Sequence, residues 1–149
     1  MLKVKDIMTK DVVTVTKETT VMELAKIFAE RHLSSLPVVD QNGELIGIVT
    51  ETDLVEQDKN LHIPTVISIF DWVIYLESDK KFEKELKKMT GRTVGDIYSN
   101  DAVTVSTDST IADVADLLSS RKINALPVVE GNKLVGIVSR IDLIRSMAG

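Results

Sequence analysis

Two octapeptides decide how this chain folds: Gly47-Ile48-Val49-Thr50-Glu51-Thr52-Asp53-Leu54 and Gly136-Ile137-Val138-Ser139-Arg140-Ile141-Asp142-Leu143. In each, an apolar stretch runs into a hydroxyl residue, and a carboxylate follows three positions later. That order reads as a buried strand passing into the first turn of a helix. The likeness extends outward from both. Leu45 to Leu54 matches Leu134 to Leu143 in 6 of 10 positions at an offset of 89, and Asp6 to Val39 matches Asp96 to Val129 in 13 of 34 at an offset of 90. The chain is therefore an internal duplication. The single-residue change of offset falls in a turn, Asn42-Gly43 in the first copy and Gly131-Asn132 in the second.

Each copy reads as strand, helix, strand, strand, helix. Val12 to Val15 is a short β-branched run, and Thr20-Val21-Met22-Glu23 has the hydroxyl and carboxylate of a capping box. Val21, Leu24, Ala25 and Phe28 then form one helical apolar stripe, repeated by Ile111, Val114, Ala115 and Leu118. Pro37 and Pro127 lack an N–H, which places them at the first position of a strand or on an edge. The hairpin turns lead into second strands, Leu45 to Val49 and Leu134 to Val138, and a closing helix follows each. The fold class is α/β (α+β), with repeat 1 over residues 1–56, an insert over 57–93 and repeat 2 over 94–149. The insert carries an apolar run around Trp72, too sticky to be a free linker, then Lys81 to Met89, a charged amphipathic helix stopped by Thr90-Gly91. Its apolar half is expected to cover the chain's own core or a second subunit.

Composition narrows the functions. A chain of 149 residues suits one globular module, and a net charge of -5 disfavours nucleic acid, whose binding rests on Lys and Arg against phosphate. No segment has the roughly 20 apolar residues of a membrane helix, and no secretion signal is visible, so the expected location is cytoplasmic. With no cysteine, thiol chemistry is excluded. His32 and His62 stand 30 apart in unlike contexts and form no metal set; His32 reads as a helix cap or a solvated group. Nucleophile elbows, Walker loops and dinucleotide fingerprints are missing, so no catalytic or metal-ligating residue is expected.

The pairs Thr50/Asp53 and Ser139/Asp142 admit two readings. They serve as helix caps, with the Asp favoured by the helix dipole. Equally, a helix N-terminus with a hydroxyl is a ready phosphate site, and an Asp one turn along can accept hydrogen bonds from both ribose hydroxyls. Those blocks, together with the two Leu-Pro-Val-Val blocks at 36–39 and 126–129, resemble tandem cystathionine β-synthase (CBS) domains over about two-thirds of the chain. The resemblance implies two repeats paired about a pseudo-two-fold axis with two clefts between them. It also implies a regulatory, non-catalytic module for AMP, ADP, ATP or S-adenosylmethionine. Each cleft would be assembled across the repeats, one supplying the adenine pocket and the other the hydroxyl and Asp for ribose and phosphate, with Ile48 and Ile137 also against the adenine. In one, Val13, Leu33 and Ser34 would face Ile137, Ser139 and Asp142; in the other, Val103, Ile123 and Asn124 would face Ile48, Thr50 and Asp53. Ser34 and Asn124 read equally as helix-end turn residues.

The residue after the hydroxyl is Arg140 in one repeat and Glu51 in the other; if both side chains lie near the phosphates, the cleft with Ser139, Arg140 and Asp142 is expected to prefer the more highly charged ligand, and if both point to solvent the clefts are alike in charge. No tightly bound cofactor is expected, and the sequence carries no signal for or against Mg²⁺. A homodimer is expected from the apolar surface of Ile67 to Leu76 and from the pairing common in the family it resembles, and, because little flanks the two repeats, the chain is expected to signal through an effector protein or to be a fragment of a larger one. The rival reading is an interaction module with vestigial clefts that docks a partner through the apolar insert; an enzyme acting on nucleotides ranks third.

Overall fold

The computed structural model describes residues 2–60 and 92–148. The readings of Trp72, His62 and the Lys81 to Met89 helix lie outside the described residues. Repeat 1 comprises α1 (Val4–Ile7), α2 (Val21–Arg31), β1 (Ser35–Val39), β2 (Leu45–Thr50) and α3 (Glu51–Asn60). Repeat 2 comprises α4 (Val94–Ile97), β3 (Val105–Ser106), α5 (Ile111–Ser120), β4 (Ala125–Glu130), β5 (Lys133–Ser139) and α6 (Arg140–Met147).

The capping boxes fix where the long helices begin. Thr20 Oγ1 accepts from the Glu23 N–H (3.1 Å) while the Thr20 N–H donates to Glu23 Oε2 (3.2 Å), and Thr110 with Asp113 repeats the exchange. All four residues of the α2 stripe are buried; in α5, Val114 and Leu118 are buried and Ile111 and Ala115 partly so. Two short helices, α1 and α4, escaped the sequence reading. Their signal was Asp6 and Asp96, whose carboxylates accept from the Lys3 and Thr93 N–H groups at 2.9 Å each.

Both hairpins are antiparallel, with Gly43 and Gly131 at positive φ in their turns. The first strand of each repeat is shorter than expected. In repeat 1 only Val15 pairs, parallel to Val38; in repeat 2 the strand is Val105–Ser106 against Val128 and Val129. Two causes are visible: Val12 and Val13 wall a cleft instead of pairing, and Thr16 turns back at once, its N–H bonded to Thr19 Oγ1 (3.1 Å). The prolines lie inside their strands and not at the first position, with Pro37 on the edge that the sequence reading allowed. Pro37 is the third residue of β1, opposite Ile48, and Pro127 the third of β4, opposite Ile137. Pairing of β1 with the first strand starts at the proline carbonyl, which accepts from the Val15 N–H (3.1 Å). Val39 then donates to Val15 O (2.9 Å), so the missing N–H falls just beyond the ladder and no bond is lost.

The repeats exchange their N-terminal arms. Thr9 and Ile137 exchange both backbone bonds (2.8 and 2.9 Å), and Ser99 and Ile48 do the same (2.9 Å each). Val4 donates to Ser109 O and lies in the repeat 2 core; Val94 donates to Thr19 O and lies in the repeat 1 core, both fully buried. The hairpin tips complete the contact. Leu45 donates to Asn132 O (2.9 Å) and Leu134 to Gly43 O (3.2 Å), around the bridge between Glu44 and Lys133. Every one of these bonds has a counterpart at the equivalent positions, which is a pseudo-two-fold relation. The packing units therefore cross the boundaries drawn on the sequence.

Glycine permits the crossing. A Cβ on Gly47 would fall within the Ser99 carbonyl and the Tyr98 ring, and one on Gly136 would lie 2.7 Å from Met8 Sδ and 3.0 Å from Thr9 O. Gly47→Ala should therefore cost about 1–3 kcal/mol by overpacking. That lowers Tm by roughly 2–12 °C for a chain of this size. Gly136→Ala should cost less, because the flexible Met8 side chain can yield. Thermal denaturation of the two variants checks this, and an unchanged Tm for Gly47→Ala would refute the close crossing.

Candidate functional site

At each strand-to-helix junction the hydroxyl and carboxylate form a closed pair. The Thr50 N–H and Oγ1 both donate to Asp53 Oδ2 (2.8 and 3.1 Å), and the Asp53 N–H returns to Thr50 Oγ1 (3.2 Å). In repeat 2 the Ser139 N–H and Oγ donate to Asp142 Oδ2 (2.9 and 3.0 Å), and the Asp142 N–H lies 3.4 Å from Ser139 Oγ. The cap reading is thus realised at both sites. It leaves room for the second reading, because each carboxylate uses Oδ2 alone. Among the described residues Oδ1 of Asp53 and of Asp142 has no hydrogen-bond partner. Asp142 is 8% exposed, the one buried polar side chain among the described residues.

Two clefts open between the repeats. One, of about 360 Å³, brings together Val13, Leu33 and Ser34 from repeat 1 with Ile137, Ser139 and Asp142 from repeat 2, all six expected residues. The other, of about 350 Å³, brings together Val103, Ile123 and Asn124 with Ile48 and Thr50. Asp53 is not part of that second wall; Glu51 and Thr52 form it instead. Ser34 and Asn124 line both clefts, and Asn124 Nδ2 donates to Ser34 Oγ at 3.4 Å across the repeat boundary.

Arg140 bonds to its own repeat. Its Nε donates to Ile123 O (3.2 Å) and its Nη2 to Leu118 O (3.1 Å). Carbonyls at and beyond the end of α5 are strong acceptors for a guanidinium, so the side chain lies along its own repeat and outside the Ser139/Asp142 cleft. The expected charge contrast between Arg140 and Glu51 is therefore not built into that cleft. Other groups line the clefts that the sequence reading did not assign to them. Asp11, His32, Ile141 and Arg145 border the first, and Asp101 and Lys122 the second. Asp11 and Asp101 are identical across the repeats, a signal open to the alignment; Arg145 had none, since its counterpart is Glu56. His32, the C-cap of α2, and Lys122 share a left-handed backbone at φ 53, which turns the chain from helix into cleft wall. No cluster of three potential metal ligands occurs among the described residues, and none of their helices is long and apolar enough to cross a membrane.

A fold of two exchanged repeats with a capped helix at each cleft defines a class of paired modules. The CBS domain family model matches residues 4–60 and 94–149, and the chain belongs to that family. It is 31% identical to the protein MJ1426 of Methanocaldococcus jannaschii over 99% of this chain and 92% of that one. It is also 31% identical to the chloroplastic CBS domain-containing protein CBSX1 of Arabidopsis thaliana, over 96% of this chain and 63% of that protein. Against two longer M. jannaschii relatives it spans 44% and 40% of their length. Among solved structures, CBSX2 in complex with AMP superposes at TM-score 0.75 with 28% identity over 99% of this chain and 97% of that one. The CBS domain pair of MJ0100, in complex with 5′-methylthioadenosine and S-adenosyl-L-methionine, gives TM-score 0.69 and 27% identity over 100% and 98%.

The position of Arg140 generates a test. Arg140→Ala should destabilise the protein by about 1 kcal/mol, through lost bonds to carbonyls, and leave ligand affinity of the neighbouring Ser139/Asp142 cleft unchanged. Denaturant unfolding beside calorimetric titration with AMP checks both halves. A selective loss of AMP binding without loss of stability would return Arg140 to the ligand.

Proposed function

We propose that this chain is a non-catalytic regulatory module that binds an adenosine ligand, AMP, ADP, ATP or S-adenosylmethionine, in the clefts between its CBS repeats. The observation that carries the reading is the cross-repeat cleft in which Ser139 and Asp142 face Val13, Leu33 and Ser34. An apolar slot opposite a hydroxyl and a carboxylate with a free oxygen is complementary to a purine nucleoside. The base is covered by aliphatic side chains, the ribose hydroxyls donate to Asp142, and a phosphate meets the N-terminus of α6. Thr50 offers the second cleft the same hydroxyl, whereas Asp53 is not among the residues that line it. The adenosine ligands of the CBSX2 and MJ0100 complexes support the same chemistry.

Regulation follows from the cleft's construction. A ligand that touches both repeats stabilises their docked arrangement over any loosened one, by its differential affinity for the two. A homodimer, an effector protein and a cytoplasmic location belong to the same proposal. The test is thermal denaturation with and without each nucleoside ligand. At 100 times its dissociation constant a one-site ligand adds about 2.7 kcal/mol, which raises Tm by roughly 5–11 °C. Melting curves unmoved by millimolar AMP, ADP, ATP and S-adenosylmethionine would reject the reading in favour of an interaction module.

A further inference from the structure

Three residues on α6 face the Ser139/Asp142 cleft at helical spacing. Ile141 and Arg145 stand four apart and share one side of the helix, with Asp142 beside them. Ile141 is a large aliphatic side chain that is 51% exposed. Arg145 is exposed and makes no hydrogen bond or ion pair with any described residue. Opposite them stand Val13 and Leu33.

We propose that Ile141 and Arg145 form a clamp on the purine base, which makes this cleft the tighter of the two for the adenosyl group. The inference rests on the proposed nucleoside reading and goes beyond it by assigning base recognition to α6. The order along the helix carries it. Ser139, at the N-cap, is where a phosphate is favoured, and Asp142, in the first turn, is where a ribose is held. Arg145 lies about 4.5 Å further along the axis, one step beyond the ribose, which is the position of the base. A guanidinium there stacks on a purine face, and Ile141 closes the slot whose other wall is Val13 and Leu33.

The opposite cleft lacks both parts. The counterpart of Ile141 is Thr52, which lines that cleft with a hydroxyl in place of an ethyl-bearing side chain. The counterpart of Arg145 is Glu56, which does not line it. The clefts therefore differ in base contact as well as in the carboxylate, which lines the first cleft alone, while each offers a hydroxyl at a helix N-terminus.

Calorimetric titration of the full chain and of Ile141→Thr and Arg145→Gln, with adenosine and with AMP, tests the clamp. The tighter site should lose about three- to ten-fold in affinity in Ile141→Thr and about two- to five-fold in Arg145→Gln. The losses should be equal for adenosine and AMP, since the base is common to both. Both side chains are exposed, so the ligand-free Tm should hold within about 2 °C. A loss for AMP without a loss for adenosine would make Arg145 a phosphate contact and overturn the clamp. Unchanged affinities in both variants would overturn it while leaving the nucleoside reading intact. Absence of binding by the unmodified chain would overturn the reading and the clamp together.

Discussion

The crossing of each N-terminal arm over the other repeat's hairpin, at Gly47 and Gly136, is the constraint on which the other features depend. It places Val4 in the second core and Val94 in the first, so neither repeat closes its own apolar interior. It also adds the paired Thr9–Ile137 and Ser99–Ile48 backbone bonds on the strand edges that the hairpins leave open. An open edge is a liability, and here each is covered by the chain's other half. The two repeats therefore form one cooperative structure, in which loosening one arm exposes the opposite core.

The clefts are a consequence of that docking. Because the arm pairs at Ile137 and Ile48, the strand residues just before Ser139 and Thr50 are fixed against the other repeat, and the helix N-termini of α6 and α3 open towards it. Each cleft then draws its apolar wall from one repeat and its hydroxyl from the other. A small molecule bound in such a place would contact both repeats at once. The Ser139/Asp142 capping pair holds its carboxylate at the cleft wall while keeping one oxygen unused, so that site needs little reorganisation on binding.

Much of this was legible in the sequence, and the exceptions have physical causes. The duplication, the long helices and the hairpins were readable because they rest on local signals: capping boxes, helical stripes and turn glycines. The residues of the Ser139/Asp142 cleft were reached through the family resemblance, which encodes a cross-repeat contact that periodicity does not reveal. Arm exchange was invisible because Val4 and Val94 read as ordinary apolar residues, and nothing local tells which core receives them. The first strands were overextended because β-branched Val12 and Val13 favour pairing, yet cleft formation draws them aside. Arg140 marks a further limit, because charge at a sequence position says nothing about direction, and the helix-end carbonyls of its own repeat compete for it. Asp53 shows the same limit, since its equivalence to Asp142 does not carry over to the cleft wall.

The central claim is that one ligand is held by both repeats at once. Backbone amide resonances followed by NMR during titration with adenosine test it most directly, with Val13 and Leu33 reporting repeat 1 and Ser139 and Asp142 reporting repeat 2. The account predicts that these four signals move together with a common midpoint. Movement confined to residues of a single repeat, or distinct midpoints for the two sets, would contradict it.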